Sequence, residues 1–81
     1  MRLDKYLKVS RLIKRRTVAN EACDAGRIIV NGKVARASYD VKIGDIITIE
    51  LGAKPLNVKV ASVVEHVTKE DAALLYTIIE Q

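Results

Sequence analysis

Residues 3–34 read LDKYLKVSRLIKRRTVANEACDAGRIIVNGKV, and the spacing of their apolar side chains changes once along the stretch. Up to position 25, apolar side chains recur every three or four residues, which is the spacing of one face of a helix. From Ile28 onward they alternate, as in a strand, and Asn31-Gly32 is the dipeptide most typical of a two-residue hairpin turn. The stretch therefore predicts helices followed by a β-hairpin.

Two helices rather than one are predicted before the hairpin. A Lys or Arg stands at every third position from Arg2 to Lys14. Three residues rotate a helix by about 300°, so one long helix would spread these cations around its circumference. We therefore expect a helix over residues 3–9, a break near residues 10–14, and a second helix over residues 15–25 ended by the following glycine. On the second helix the predicted apolar side is Val18, Ala19, Ala22 and Cys23, and the predicted solvent side is Asn20, Glu21 and Asp24.

The rest of the chain is rich in β-branched residues. Strands are predicted over residues 41–49, interrupted by a turn, and over residues 56–64. A capped helical turn is predicted over residues 68–75, and residues 76–79 fit either a final strand or a longer helix. The predicted fold class is α+β, with two short N-terminal helices packed on a small, mostly antiparallel twisted sheet. With 81 residues, we expect one domain over 1–81 with a motif core in 1–51 and a C-terminal extension over 52–81.

Basic side chains are concentrated in the first half of the chain. Residues 1–40 carry ten basic and four acidic side chains, whereas residues 41–81 carry four basic and six acidic ones. A basic half joined to a mildly acidic half favours one directed contact surface for a polyanion. Apolar residues stand between the cations, so they belong to a folded surface rather than a disordered tail.

The sequence offers little for catalysis or metal binding. His66 is the single histidine and Cys23 the single cysteine. A zinc site needs three or four ligands, and triad chemistry needs a histidine oriented towards a nucleophile. We expect His66 to be an exposed or edge-strand residue and Cys23 a small core residue. The predictions are a non-enzymatic binding protein, no metal and no cofactor.

The candidate RNA-binding residues are the basic side chains of the first half and the tip of the hairpin. Guanidinium groups bind phosphate through two hydrogen bonds, so arginines are the stronger candidates and lysines add charge. Asn31 has a competing role as the left-handed turn residue, and Tyr6 is expected in the core. The predicted residues are Arg2, Lys5, Lys8, Arg11, Lys14, Arg15, Arg16, Arg27, Asn31 and Lys33.

A membrane-surface or acidic-protein partner is the alternative from another class. A basic amphipathic helix lies on anionic lipid when one long stripe faces the membrane, whereas here the cations are interleaved with a helix–turn–helix and hairpin pattern. The sequence has no apolar run of the length that a membrane span requires and no signal peptide. We therefore expect a cytoplasmic protein and no membrane partner.

Several spaced motifs resemble the S-four RNA-binding domain family. They are RLDKYL at residues 2–7, Arg16, AGRI at 25–28 and VNGK at 30–33. The resemblance covers residues 1 to about 51 and implies two helices on a small sheet, with an RNA surface at Arg2, Lys8, Arg11, Arg16 and the hairpin tip. One departure is Arg15, which stands where the family often has a serine that caps the second helix.

Over its whole length, the sequence resembles the small members of this family that act in bacterial ribosome-associated quality control. The resemblance implies binding to obstructed large ribosomal subunits, between large-subunit ribosomal RNA and peptidyl-tRNA, while the partner RqcH adds alanines to the stalled chain. Heat-shock proteins of the same domain are the alternative, and they usually carry a basic C-terminal tail, which this sequence lacks up to Gln81. We expect a monomer that bridges two RNAs, with Arg2 and Arg16 on one side and Lys8 and Arg11 on another.

Overall fold

The computed structural model describes residues 1–79. In this range the two α-helices are α1 (Leu3–Val9) and α2 (Arg16–Asp24), and the strands are β1 (Ile28–Val30), β2 (Lys33–Val34), β3 (Ile46–Ile49), β4 (Leu56–Val60) and β5 (Tyr76–Ile79), with a short 3-10 helix at Ala72–Leu75. The strands form one open antiparallel sheet in the order β2-β1-β3-β4-β5. The predicted α+β class is confirmed, and so is the strand alternative for residues 76–79.

Each of the two short helices buries one side against the sheet. Leu3, Tyr6 and Leu7 are fully buried on α1, and Ser10 at its end donates a hydrogen bond to the carbonyl of Leu7 (3.2 Å). The predicted break between the helices is confirmed over residues 10–15. The other buried side chains of this core are Ala19, Ala22 and Cys23 of α2, Ile28, Val30, Ile47, Ile49, Val58 and Val60 of the sheet, and Ile13, Ala35, Ala37, Val41 and Leu75 outside these elements.

The structure corrects the predicted sides of α2. Val18, predicted on the apolar side, is 41% exposed. Asn20, predicted to face water, is half-buried and donates a hydrogen bond to Asp4 on α1 (3.4 Å). Successive positions of a helix are rotated by about 100°, so an error of one position in placing the buried side moves a side chain from core to solvent. The small Ala19, Ala22 and Cys23 side chains form the buried side of α2.

The predicted strands were too long. The predicted strand over 41–49 begins only at Ile46, and the predicted strand over 56–64 ends at Val60. Val41 is nevertheless buried, and its amide donates to the carbonyl of Met1 (2.8 Å). Val41 thus fills the core from a loop, whereas Ile43 and Val64 of the same predicted segments are exposed. β-branched composition does not distinguish these cases from strand pairing.

The hairpin tip is fixed by the side chain of Asn31. Asn31 and Gly32 have φ values of 52° and 83°, the left-handed pair that a tight hairpin turn requires. The Asn31 amide accepts a hydrogen bond from the backbone N–H of Ile46 (2.9 Å) and donates one to Asp45 (3.0 Å). Asp45 also accepts from the Tyr39 hydroxyl (2.9 Å). The tip is therefore held against the loop that precedes β3.

The C-terminal half is attached to α1 at the carbonyl of Leu75. This oxygen accepts hydrogen bonds from the Tyr6 hydroxyl (2.7 Å) and from the backbone N–H groups of Ala61 (2.8 Å) and Ser62 (3.1 Å). The loop after β4, residues 61–71, is consequently held beside the first helix. This position brings the C-terminal half next to the basic residues of α1.

Candidate nucleic-acid interface

Two predicted RNA-binding arginines meet on a single buried carboxylate. Asp4 of α1 accepts hydrogen bonds from Nε and Nη2 of Arg2 (3.1 and 3.3 Å) and from Nε of Arg16 on α2 (3.4 Å). The Asp4 side chain is 3% exposed, whereas those of Arg2 and Arg16 are 52% and 46% exposed. A buried anion therefore positions two solvent-facing guanidinium groups side by side.

The surroundings of Asp4 keep it ionised. Burial by itself raises the pKa of the Asp4 carboxyl, but hydrogen bonds from Arg2, Asn20, Arg16 and the backbone of Lys5 outweigh burial and lower the pKa below its ordinary value. A guanidinium has five N–H donors, and the bonds to Asp4 use two from Arg2 and one from Arg16. Both side chains are about half exposed, and the donors that do not bind Asp4 are suited to bind phosphate oxygens.

A second group of predicted cations lines a separate cleft. Lys8, Arg11 and Lys14 are exposed and form one wall of a mostly polar cleft of about 290 Å³. Residues 65–67 of the loop after β4 form the opposite wall. Because Lys8 lies in the last turn of α1 and Arg11 follows its end, while Arg2 precedes its start, the two groups lie at opposite ends of that helix. The expected separation of Arg2 and Arg16 from Lys8 and Arg11 agrees with this geometry.

The remaining predicted residues are dispersed. Lys5 pairs with Glu65 (3.4 Å), and Nη1 of Arg27 donates to the carbonyl of Glu50 (3.3 Å) in an exposed hydrogen bond. Arg15 is exposed at the start of α2 and makes no side-chain cap, as the loss of the usual serine implied. Lys33 lies on the hairpin and is exposed. Asn31, as described above, uses its amide within the fold.

Sequence reasoning missed two residues of this surface. Asp4 was not among the predicted site residues, because a single acidic residue near a helix start is ordinarily explained by the helix dipole alone. Arg36 is exposed and lines a cleft together with Arg2, so it extends the basic surface towards the hairpin. No motif or spacing marks Arg36, which stands alone in a loop.

The other chemistry-bearing side chains of the described residues lie apart from one another. His66 is exposed in the loop after β4, and Cys23 is buried at 4% exposure. Burial, followed by the negative charges of Asp4 and Asp24, raises the pKa of the Cys23 thiol to about 11. Within residues 1–79 no group of three or more potential metal ligands is found. No helix of that range has the length and apolar character to cross a membrane.

Comparison with known proteins identifies the family. The S4 domain, which is the S-four RNA-binding domain, matches residues 1–47. The chain is 57% identical over 81 residues to the RQC P-site tRNA stabilizing factor of Streptococcus pneumoniae, covering 100% of this chain and 92% of that protein. It is 54% identical over 81 residues to the factor of the same name from Bacillus subtilis, covering 100% and 94%.

The fold is also that of a solved relative. The trimeric structure of heat shock protein 15 from Vibrio cholerae superposes with a TM-score of 0.91 at 29% sequence identity, covering 98% of this chain and 81% of that one. The matched S4 segment contains both helices and the hairpin, and therefore both groups of cations. By sequence and by fold, the chain belongs to the S4 domain family and, within it, to the RQC P-site tRNA stabilizing factors (RqcP).

Proposed function

We propose that the chain is a non-catalytic RNA-binding protein of ribosome-associated quality control. It binds obstructed large ribosomal subunits and contacts both large-subunit ribosomal RNA and peptidyl-tRNA. By steadying the tRNA it supports RqcH-dependent addition of alanines to the stalled chain. The names of its relatives support tRNA as a partner, and the basic surface supports RNA in general.

The arrangement of the cations in two groups is the observation that carries this proposal. Arg2 and Arg16 are fixed on Asp4 at the start of α1, and Lys8, Arg11 and Lys14 line a cleft beyond its end. One group of cations suffices to hold one RNA backbone. Two groups that face different clefts fit a protein placed between two RNAs, and most of their binding energy comes from phosphate contacts.

The ten predicted residues are proposed to contribute unequally to RNA binding. Arg2 and Arg16 are held in place before RNA arrives, so little side-chain entropy is lost when they bind. Lys5, Arg27 and Asn31 have partners within the chain. We assign these three residues a supporting role and the direct phosphate contacts to Arg2, Lys8, Arg11, Lys14, Arg15, Arg16 and Lys33. The protein acts as a monomer in the cytoplasm and binds no membrane.

Sedimentation of the tagged protein from bacterial lysate tests the proposal. We expect co-migration with large subunits in a sucrose gradient, loss of co-migration after RNase treatment, and a steep decrease with salt because phosphate contacts release counterions. Peptidyl-tRNA and RqcH are expected in the same fraction. A protein that stays at the top of the gradient at low salt would contradict the proposal.

The second candidate is a heat-shock-type factor that binds obstructed large subunits without alanine tailing. The structural likeness to heat shock protein 15 favours it. The two candidates differ in one measurable consequence, since only the first affects alanine tailing. Deletion of the gene should abolish alanine tails on stalled chains if the first candidate is right, and should leave the tails in place if the second is right.

A further inference from the structure

Arg11 has an unusual backbone conformation. Its φ is 62°, in the left-handed region that side chains with a Cβ atom avoid. Within residues 1–79 the other positive φ values belong to the four glycines and to Asn31, and asparagine tolerates this region better than most residues. Arg11 is therefore the one long side chain of the described part that is held in a strained conformation.

At the end of α2 the chain has a glycine in the same left-handed conformation. Gly26 follows that helix with a φ of 75°, and its amide donates to the carbonyl of Cys23 (3.0 Å). Arg11 follows α1 in the same way, with its amide donating to the carbonyl of Lys8 (3.0 Å). Both are left-handed helix ends, for which glycine is the usual residue. An arginine at this position costs stability that a glycine would not.

Interactions of the Arg11 side chain within the fold do not offset this loss of stability. It is exposed, and no hydrogen bond or ion pair joins it to another of the described residues. Strained residues of this kind are concentrated at binding sites, where the side chain has a use outside the chain. What Arg11 could bind follows from the cleft that it lines.

That cleft has the charge and the donors of an anion site. Lys8, Arg11 and Lys14 face the loop residues Glu65 and His66 across about 290 Å³, at the lower end of the size of ligand pockets. Glu65 is the negative group of the cleft, and its carboxylate lies 3.4 Å from Nζ of Lys5, which compensates its charge. Three cations therefore remain to face an incoming anion.

We propose that His66, from the C-terminal half, donates a further hydrogen bond to the RNA backbone phosphate that Arg11 binds in this cleft. An imidazole has at least one N–H donor in either charge state, and His66 is exposed on the wall opposite Arg11. The inference rests on the proposed RNA-binding function and adds a defined subsite to it. It also gives the loop after β4 a part in RNA binding, although that loop lies outside the matched S4 segment.

Two substitutions of Arg11 separate its binding role from its strain. Arg11→Ala removes the guanidinium and keeps a Cβ atom in the left-handed region, whereas Arg11→Gly removes both. We expect both variants to bind purified large ribosomal subunits carrying peptidyl-tRNA about tenfold more weakly, because a charge-assisted phosphate contact is lost. Arg11→Gly should also unfold about 4 °C or more above wild type, while Arg11→Ala should not.

His66→Ala and a matched control complete the set. We expect His66→Ala to weaken subunit binding about threefold or more, the loss of one hydrogen bond. Lys59→Ala serves as the control, because Lys59 is exposed between the buried Val58 and Val60 and therefore lies on the outer face of the sheet. It removes a cation as Arg11→Ala does, and subunit binding by this variant should remain within about twofold of wild type.

Three outcomes overturn the inference, and they differ from failure of the proposed function. The inference would be contradicted if folded Arg11→Gly bound subunits as tightly as wild type, or if His66→Ala left binding unchanged. It would also be contradicted if the Lys59→Ala control lost as much binding as Arg11→Ala. An NMR titration of wild-type protein with inorganic phosphate distinguishes free anion from RNA. Shifts at the cleft in low millimolar phosphate, together with unchanged subunit binding by the Arg11 variants, would assign the cleft to a small anion instead. Absence of subunit binding by wild-type protein would contradict the proposed function itself.

Discussion

Asp4 on the first helix accepts a hydrogen bond of 3.4 Å from Nε of Arg16 on the second helix. The same carboxylate holds Arg2, so a residue with almost no exposed surface determines where two exposed cations stand. An acidic residue inside a basic surface would weaken RNA binding if its charge were exposed to the phosphates. Here burial hides the charge and the hydrogen bonds give the arginines a fixed geometry, which favours recognition of a backbone of defined shape.

Substitution of Asp4 should reduce stability in a pH-dependent way. We expect Asp4→Asn to lower the free energy of unfolding at pH 7 by about 1–2 kcal/mol, since the bonds from Arg2, Arg16 and the Lys5 amide lose their charged acceptor. Because the folded-state pKa of Asp4 is lowered, its contribution is present above the unfolded-state pKa of about 3.9 and is lost as the pH falls through the folded-state value.

Urea unfolding of both proteins between pH 2 and pH 7 measures this. The difference between wild type and Asp4→Asn should be constant from neutral pH down to about pH 5 and should shrink below about pH 4. Asp45 also has a lowered pKa, because burial is outweighed by hydrogen bonds from the Lys42 backbone, Asn31 and Tyr39. Since Asp45 is common to both proteins, it cancels in the difference. A gap that persists unchanged to pH 2 would show that the charge of Asp4 is not what stabilises the fold.

The bond between Tyr6 and Leu75 should contribute measurably to stability. Tyr6→Phe removes the hydroxyl and keeps the ring in the core, so we expect a loss of about 1 kcal/mol in the free energy of unfolding. The Leu75 carbonyl retains the amides of Ala61 and Ser62 as donors, so it is not left unsatisfied. Tyr76→Phe is a suitable control, because no side-chain hydrogen bond of Tyr76 is found in residues 1–79. Equal stability of Tyr6→Phe and wild type would contradict this contribution.

Cys23 should react slowly with thiol reagents in the folded protein. Its thiol is buried, and burial raises its pKa to about 11. The thiolate is the reactive form, so a rise of about two pKa units reduces reactivity about a hundredfold even before access is considered. Because the chain has a single cysteine, the rate with a disulfide reagent at pH 8 can be compared directly in buffer and in urea. Similar rates in both would indicate that α2 does not bury this residue.

The spacing of apolar residues and the turn residues were sufficient to predict the helices, the hairpin and the fold class. The boundaries of α1, the break after it and the Asn31-Gly32 turn follow from side-chain spacing and turn chemistry, which act over a few residues. The ends of the strands do not follow from spacing. Val41, for example, lies in a loop and is nevertheless as buried as a strand residue. Burial of β-branched residues depends on tertiary contacts that spacing does not describe.

The cations of the candidate site were largely predictable, but the residues that position them were not. Charge, motif and spacing gave ten candidate residues and the separation of Arg2 and Arg16 from Lys8 and Arg11, whereas the buried Asp4 and the loop after β4 that lines the second cleft were missed. Asp4 joins the two helices, and the bond between Tyr6 and Leu75 joins the C-terminal half, which carries His66, to α1. Both relationships join residues far apart in the sequence. The left-handed φ of Arg11 is likewise a property of the folded chain, since the sequence shows no glycine to mark it.

Charge reversal of Arg16 tests the central claim most directly. We would compare co-sedimentation of wild type, Arg16→Glu and Lys59→Glu with large ribosomal subunits carrying peptidyl-tRNA, after confirming by circular dichroism that all three are folded. The two variants change the net charge equally, but Lys59 lies on the outer face of the sheet, away from the helices. We expect Arg16→Glu to lose association and Lys59→Glu to retain it. A folded Arg16→Glu variant that co-sediments like wild type would contradict the claim that the cations positioned by Asp4 hold the RNA.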